Sequence, residues 1–161
     1  MVENASYWPG LNVNVSANAT SSVIDVLLID ADEQRSLFIQ RSIQSAVGAR
    51  CARKSSGREA LVSYQRARFD AIVCRPHLGD IPYRNWIRMV RTGRFGYAET
   101  PTLLLCDEVE IEELGPMVDE HTRLIPEHDA DALTRALRAI SDGADKPMVL
   151  IVEHERNRWI I

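Results

Sequence analysis

VIDVLLID, residues 23–30, has six apolar residues in eight, most of them β-branched or leucine, and no polar alternation. So short an apolar run fits a strand buried on both faces. ADEQRSLFIQRSIQSAV (31–47) follows it. Leu37, Ile39, Ile43 and Val47 recur there at close to a helical repeat, acids occupy the first turn where the helix dipole favours them, and Gly48 supplies the stop. The same strand-then-helix unit recurs down the chain. ARCARK (49–54) reads as a second strand. SGREALVSYQRA (56–67) opens with Ser56 as a cap and Glu59 three residues on, a capping-box spacing, and carries Leu61, Val62 and Tyr64 as its apolar set. FDAIVC (69–74) is a third strand, and DIPYRNWIRMVRTG (80–93) a helix with Trp86, Ile87 and Val90 facing inward. TPTLLLC (100–106) is the most apolar strand. EIEELGPMVDE (110–120) is a shorter helix interrupted by Gly115 and Pro116. HTRLIPE (121–127) gives a fifth strand, and ADALTRALRAISDG (130–143) a fifth helix with Leu133, Leu137 and Ile140 on one face.

Five strands alternating with five helices require parallel pairing through right-handed crossovers. The expected fold is α/β: a doubly wound (βα)5 three-layer sandwich around a parallel five-stranded sheet. In such sheets the functional crevice lies beyond the carboxyl ends of the strands, so attention falls on the residue after each strand.

Bulk composition narrows the function classes. Of 161 residues, 45% are apolar and 26% charged, ordinary for a globular domain, and the formal net charge of −4 gives no global basic field to attract nucleic acid or an anionic membrane. No run of about 18 apolar residues is present, so no membrane span is expected. MVENASYWPG has neither the basic region nor the apolar core of a signal peptide. Three cysteines, Cys51, Cys74 and Cys106, lie at spacings unlike a metal site, and the expected state is free thiols in a reducing cytoplasm. No phosphate-binding glycine loop occurs. His77 and His154 have no Ser or Cys at motif spacing and are expected to be solvated. Cys106 stands near acids, which should raise its thiol pKa and disfavour a nucleophile.

At the strand ends stand Asp30, Ala31, Asp32 and Glu33, then Arg75, then Cys106, then Ile125 before Pro126. The stretches VLLIDADE, FDAIVCRPHLGDIPY, TPTLLLCDE and RLIPE, in that order and at those intervals, resemble the receiver domains of bacterial two-component response regulators. The resemblance covers about residues 23–141 and implies the flavodoxin-like form of the doubly wound sheet. It also implies a site: an acidic pair after the first strand for Mg²⁺, an Asp after the third that accepts a phosphoryl group, a Thr or Ser after the fourth, and a Lys before the Pro of the fifth. Carried onto this chain, the first acid is Asp30 and the second falls on Ala31. The acceptor falls on Arg75, the hydroxyl on Cys106 and the Lys on Ile125. A guanidinium stays protonated, accepts no phosphoryl group and repels a divalent cation. The expectation is a degenerate pocket, a pseudo-receiver without metal, cofactor or enzymatic activity. In it Arg75 acts as an internal counter-ion to Asp30 or Asp32. The alternative is a receiver phosphorylated at a displaced acid such as Asp80.

A non-catalytic receiver would act by contact with a protein: a histidine kinase, an output domain or a second receiver. The resemblance places that surface between about Glu110 and Arg138, with Arg123, Arg135 and Arg138 exposed on it. Residues 1–22, rich in Asn, Ser and Ala, are expected to form a mobile arm, and 142–147 a linker. VLIVEHERNR in the segment 148–161 repeats the opening VLLIDADEQR, with Glu153 matching Asp30. This predicts either the start of a second receiver or an extra strand, whose apolar end could drive a homodimer.

Overall fold

The run at 23–30 forms strand β1, Asp25–Ile29, in a computed structural model that describes residues 23–143 and, beyond them, the pairs Glu153–His154 and Asn157–Arg158. Helix α1 spans Glu33–Val47, β2 Arg50–Lys54, α2 Gly57–Arg66, β3 Ala71–Cys74 and α3 Tyr83–Arg91. Then come β4 at Thr102–Cys106, α4 at Glu108–Leu114 with a 3₁₀ turn at Gly115–Met117, β5 at Thr122–Pro126 and α5 at Ala130–Ser141. The strands form one parallel sheet in the order β2-β1-β3-β4-β5, with Ile29 level with both Lys54 and Cys74, and Cys106 level with Pro126. Strand order reverses beside β1, which sets the crevice between the carboxyl ends of β1 and β3.

Alternate residues of each strand feed two separate cores. Val26, Leu28, Val73, Leu103, Leu105 and Ile125 pack with Ile39 and Ile43 of α1 and Leu133, Leu137 and Ile140 of α5. Leu27, Ile29, Ile72, Cys74, Leu104 and Cys106 pack with Leu61 and Tyr64 of α2 and Tyr83, Trp86 and Val90 of α3. Burial on both faces explains why the strand sequences show no alternation.

Helix ends obey local chemistry. Asp32 caps α1 by accepting from the Arg35 amide at 2.9 Å, and Gly48 closes it in the left-handed region at φ 67°. Ser56 accepts from the Glu59 amide, but the Glu59 carboxylate reaches the amide and hydroxyl of Ser55 rather than the Ser56 amide, so the expected capping box is only half formed. A complete box appears instead at α4, between Asp107 and Glu110, and α4 therefore begins at Glu108, two residues before the sequence reading. Val62 lies off the apolar face of α2, 46% exposed, and Ile87 is only half-buried. Residues 1–22 and 144–152 lie outside the described residues, so the expected arm falls there. So does most of the segment 148–161, within which Glu153–His154 and Asn157–Arg158 pair antiparallel with each other.

Candidate functional site

Parallel strands bring Asp30, Asp32, Arg75, Cys106 and the β5 end to one edge of the sheet, as the sequence predicts. Their pairing differs from that expectation. Asp30, its side chain 1% exposed, is held by Arg35 from the first turn of α1: Nε donates to Oδ2 and Nη2 to Oδ1, both at 2.6 Å. The Asp32 amide donates to Oδ1 at 2.9 Å. Asp32 is spent on the α1 cap. Arg75 therefore pairs with neither; its Nη1 lies 2.5 Å from Oε2 of Glu127, just past β5. Arg75 is 16% exposed and Glu127 21%. The bridge spans the end of β4, where Cys106 is close enough to feel both charges. Glu127 acts on Arg35 as well; the Asp30 bonds first, then the charges of Asp30, Asp32 and Glu127, hold that guanidinium even more firmly protonated than usual. The result is an alternating row: Asp30, Arg35, Glu127, Arg75.

Arg35 and Glu127 are the residues that sequence reasoning missed. A cation at one strand mouth needs an acid at another, and the chain offered acids after β1, β4 and β5. The choice depends on which strand mouths lie within reach of a guanidinium, information that periodicity does not carry.

The other positions are apolar or sealed. Ile125 is 2% exposed and packs in the core against α1 and α5. Cys106 is fully buried, and its thiol is pushed up to about 12, by burial first and only then by Glu110, so the acids are the lesser cause. A shallow cleft of about 340 Å³ beside Asp30 is lined by Ser36, Arg53, Lys54, Ser55 and Glu59, a mixture of both signs. A divalent cation needs several free oxygen ligands. Asp30 has both oxygens engaged, the Ala31 side chain offers none, and among the described residues no cluster of three His, Cys, Asp or Glu could hold a metal. The residues present do not fit Mg²⁺.

Asp80 has a structural task. Its Oδ1 accepts from the Gly57 amide at 2.8 Å and its Oδ2 from the Arg58 amide at 3.2 Å, capping α2 from the β3–α3 loop. Partial desolvation pushes its carboxyl up, but these amide bonds outweigh it and leave the pKa below the usual range. Asp80→Ala should therefore lower stability by about 1 kcal/mol, the ordinary cost of a lost cap, in urea denaturation followed by circular dichroism. A neutral result would remove this role.

On the surface expected to bind partners, Arg123 is half-buried in β5 rather than exposed. Arg138 is exposed but donates to the Ala46 carbonyl at the end of α1, at 3.2 Å. Arg135 is exposed on α5.

No family model matches the chain, and no curated protein matches it. Solved structures do. A chemotaxis response regulator of Vibrio cholerae is 24% identical over 74% of this chain and 99% of its own, with a TM-score of 0.63. The receiver domain of a Pseudomonas aeruginosa sensor histidine kinase, solved with magnesium in its active-site cleft, is 18% identical over 76% and 99%, at 0.64. A response regulator receiver domain of Clostridium thermocellum is 13% identical over 78% and 100%, at 0.66. The fold of this chain is the flavodoxin-like fold of response-regulator receivers.

Proposed function

We propose that this chain is a pseudo-receiver: a protein-interaction module of two-component phosphorelay signalling that takes no phosphoryl group and catalyses no reaction. The observation that carries the reading is the Arg75–Glu127 ion pair. At the position after β3, where receivers place the accepting carboxylate, stands a cation already neutralised from the end of β5. The Arg35 fork on Asp30 supports it, because the carboxylate that would bind the metal is already occupied. The surface offered to a histidine kinase, an output domain or a second receiver is α4, β5 and α5, with Arg135 and Arg138 as its exposed cations, and the setting is the cytoplasm.

Asp80 is a poor substitute acceptor, since both its oxygens serve α2. The test is incubation of the whole chain with acetyl phosphate and Mg²⁺, beside a competent receiver, read by intact mass and phosphate-affinity gels. The competent receiver gains a phosphoryl group and this chain does not. A labelled chain overturns the proposal, and loss of that label in Asp80→Asn would establish the displaced-acceptor reading in its place.

A further inference from the structure

Between α3 and α4 runs a trough made of two grooves. One, of about 580 Å³, lies against the β3–α3 loop and is walled by Glu110 and Glu113; the other, of about 310 Å³, is walled by Arg88 and Met117. Tyr83, Arg84 and Leu114 line both, so the two are continuous. The α3 wall carries Arg84 and Arg88, both exposed. Among the described residues neither has a carboxylate partner: Arg84 donates only to the Met117 sulfur, at 2.7 Å. The α4 wall carries exposed Glu113, which has no cation partner among the described residues. Along the seam lie half-buried Ile87 and Leu114 and Met117, 48% exposed. Val109, 62% exposed, stands one helical turn before Glu113.

A purely acidic ligand would satisfy α3 and be repelled by α4, and a basic one the reverse. The trough fits a surface with both signs in reversed order across an apolar seam. A second copy of this chain, turned about a two-fold axis running along the trough, is such a surface. Its α3 lies over α4 of the first copy and its α4 over α3. We infer that the α3–α4 face is a self-complementary docking surface for a second copy of this chain, held by the Ile87–Leu114–Met117 seam and registered by Arg84 and Arg88 of each copy against Glu113 of the other. Rim ion pairs contribute modest affinity and mainly fix orientation. The inference stands apart from the phosphoryl question, because neither Arg75 nor Glu127 lines either groove.

The test is sedimentation of the full chain over a range of concentrations, with Arg88→Glu, Glu113→Arg and an equimolar mixture of the two. The unaltered chain dimerises. Each variant alone places like charges together twice across the two-fold, and its dimer dissociation constant rises on the order of tenfold or more. In the mixture the introduced glutamate meets the introduced arginine while the native pair persists opposite, so the dimer returns. That rescue also shows that both variants are folded. A chain that stays monomeric throughout, a dimer indifferent to both substitutions (as one built by residues 148–161 would be), or weakening that mixing fails to reverse would each overturn the inference.

Discussion

Trp86→Ala is expected to cost about 3–5 kcal/mol of folding stability, the range for deleting a large aromatic from a packed core. Trp86 is fully buried between α2 and α3, and its Nε1 donates to the Gly57 carbonyl at 2.9 Å. Helix α2 approaches so closely that a Cβ on Gly57 would lie 3.0 Å from the indole Cδ1 and 3.2 Å from the Asp80 carboxylate. Gly57 and Asp80 are tied to each other by a hydrogen bond, so the wall around the missing indole has little freedom to collapse, and the cavity term is added to the lost transfer energy. Trp86→Phe keeps most of the packing and loses the N–H donor, for a smaller loss of about 1–2 kcal/mol. Urea denaturation followed by far-ultraviolet circular dichroism reads both. An alanine variant within about 1 kcal/mol of the parent would mean that the indole is not the keystone of this face.

Arg91→Ala should cost about 3 kcal/mol at neutral pH, toward the low end for stripping one partner from a buried pair because Asp119 keeps 36% of its side-chain surface in water. Arg91, 16% exposed, ties the end of α3 to three segments at once. Nε donates to Asp119 at 2.8 Å, Nη1 to the Ala98 and Thr100 carbonyls at 2.9 and 2.8 Å, and Nη2 to the hydroxyls of Thr102 and Thr122. Lysine cannot reproduce that fork, so Arg91→Lys recovers little. The effect depends on pH. Burial pushes the Asp119 carboxyl up, but the Arg91 and Thr122 bonds and the Arg91 charge outweigh it and hold the pKa below its ordinary value. A depressed carboxyl contributes stability above its unfolded pKa of roughly 4 and loses it as pH falls through the folded value. Without Arg91, its hydrogen bond and its charge no longer oppose burial, and the carboxyl titrates higher. The penalty for Arg91→Ala should thus be largest near pH 7 and shrink toward pH 3; a penalty constant with pH would remove Asp119 from the account.

The architecture was legible because five short apolar runs, separated by helix-period segments, admit few topologies, and Gly48 and Ser56 mark helix ends by backbone chemistry that acts within four residues. What the pattern misjudged was either off-face or long-range. Val62 is apolar but sits one step away from Leu61 around α2, and one step on a helix turns a side chain toward water. Arg75 was rightly placed at the carboxyl edge, yet its partner came from beyond β5, 52 residues along the chain. Asp80 looked like a spare acid in a loop, and only the packing of that loop on α2 shows it as a cap.

The alternating row at the sheet edge has an electrical consequence. Asp30 with Arg35 and Glu127 with Arg75 cancel in pairs within a few ångströms, far less than the screening length of physiological salt. Seen from a distance, these four groups project almost no field. A molecule diffusing toward this end of the domain is neither drawn in nor turned by them, and whatever discriminates there acts only after collision, through fit.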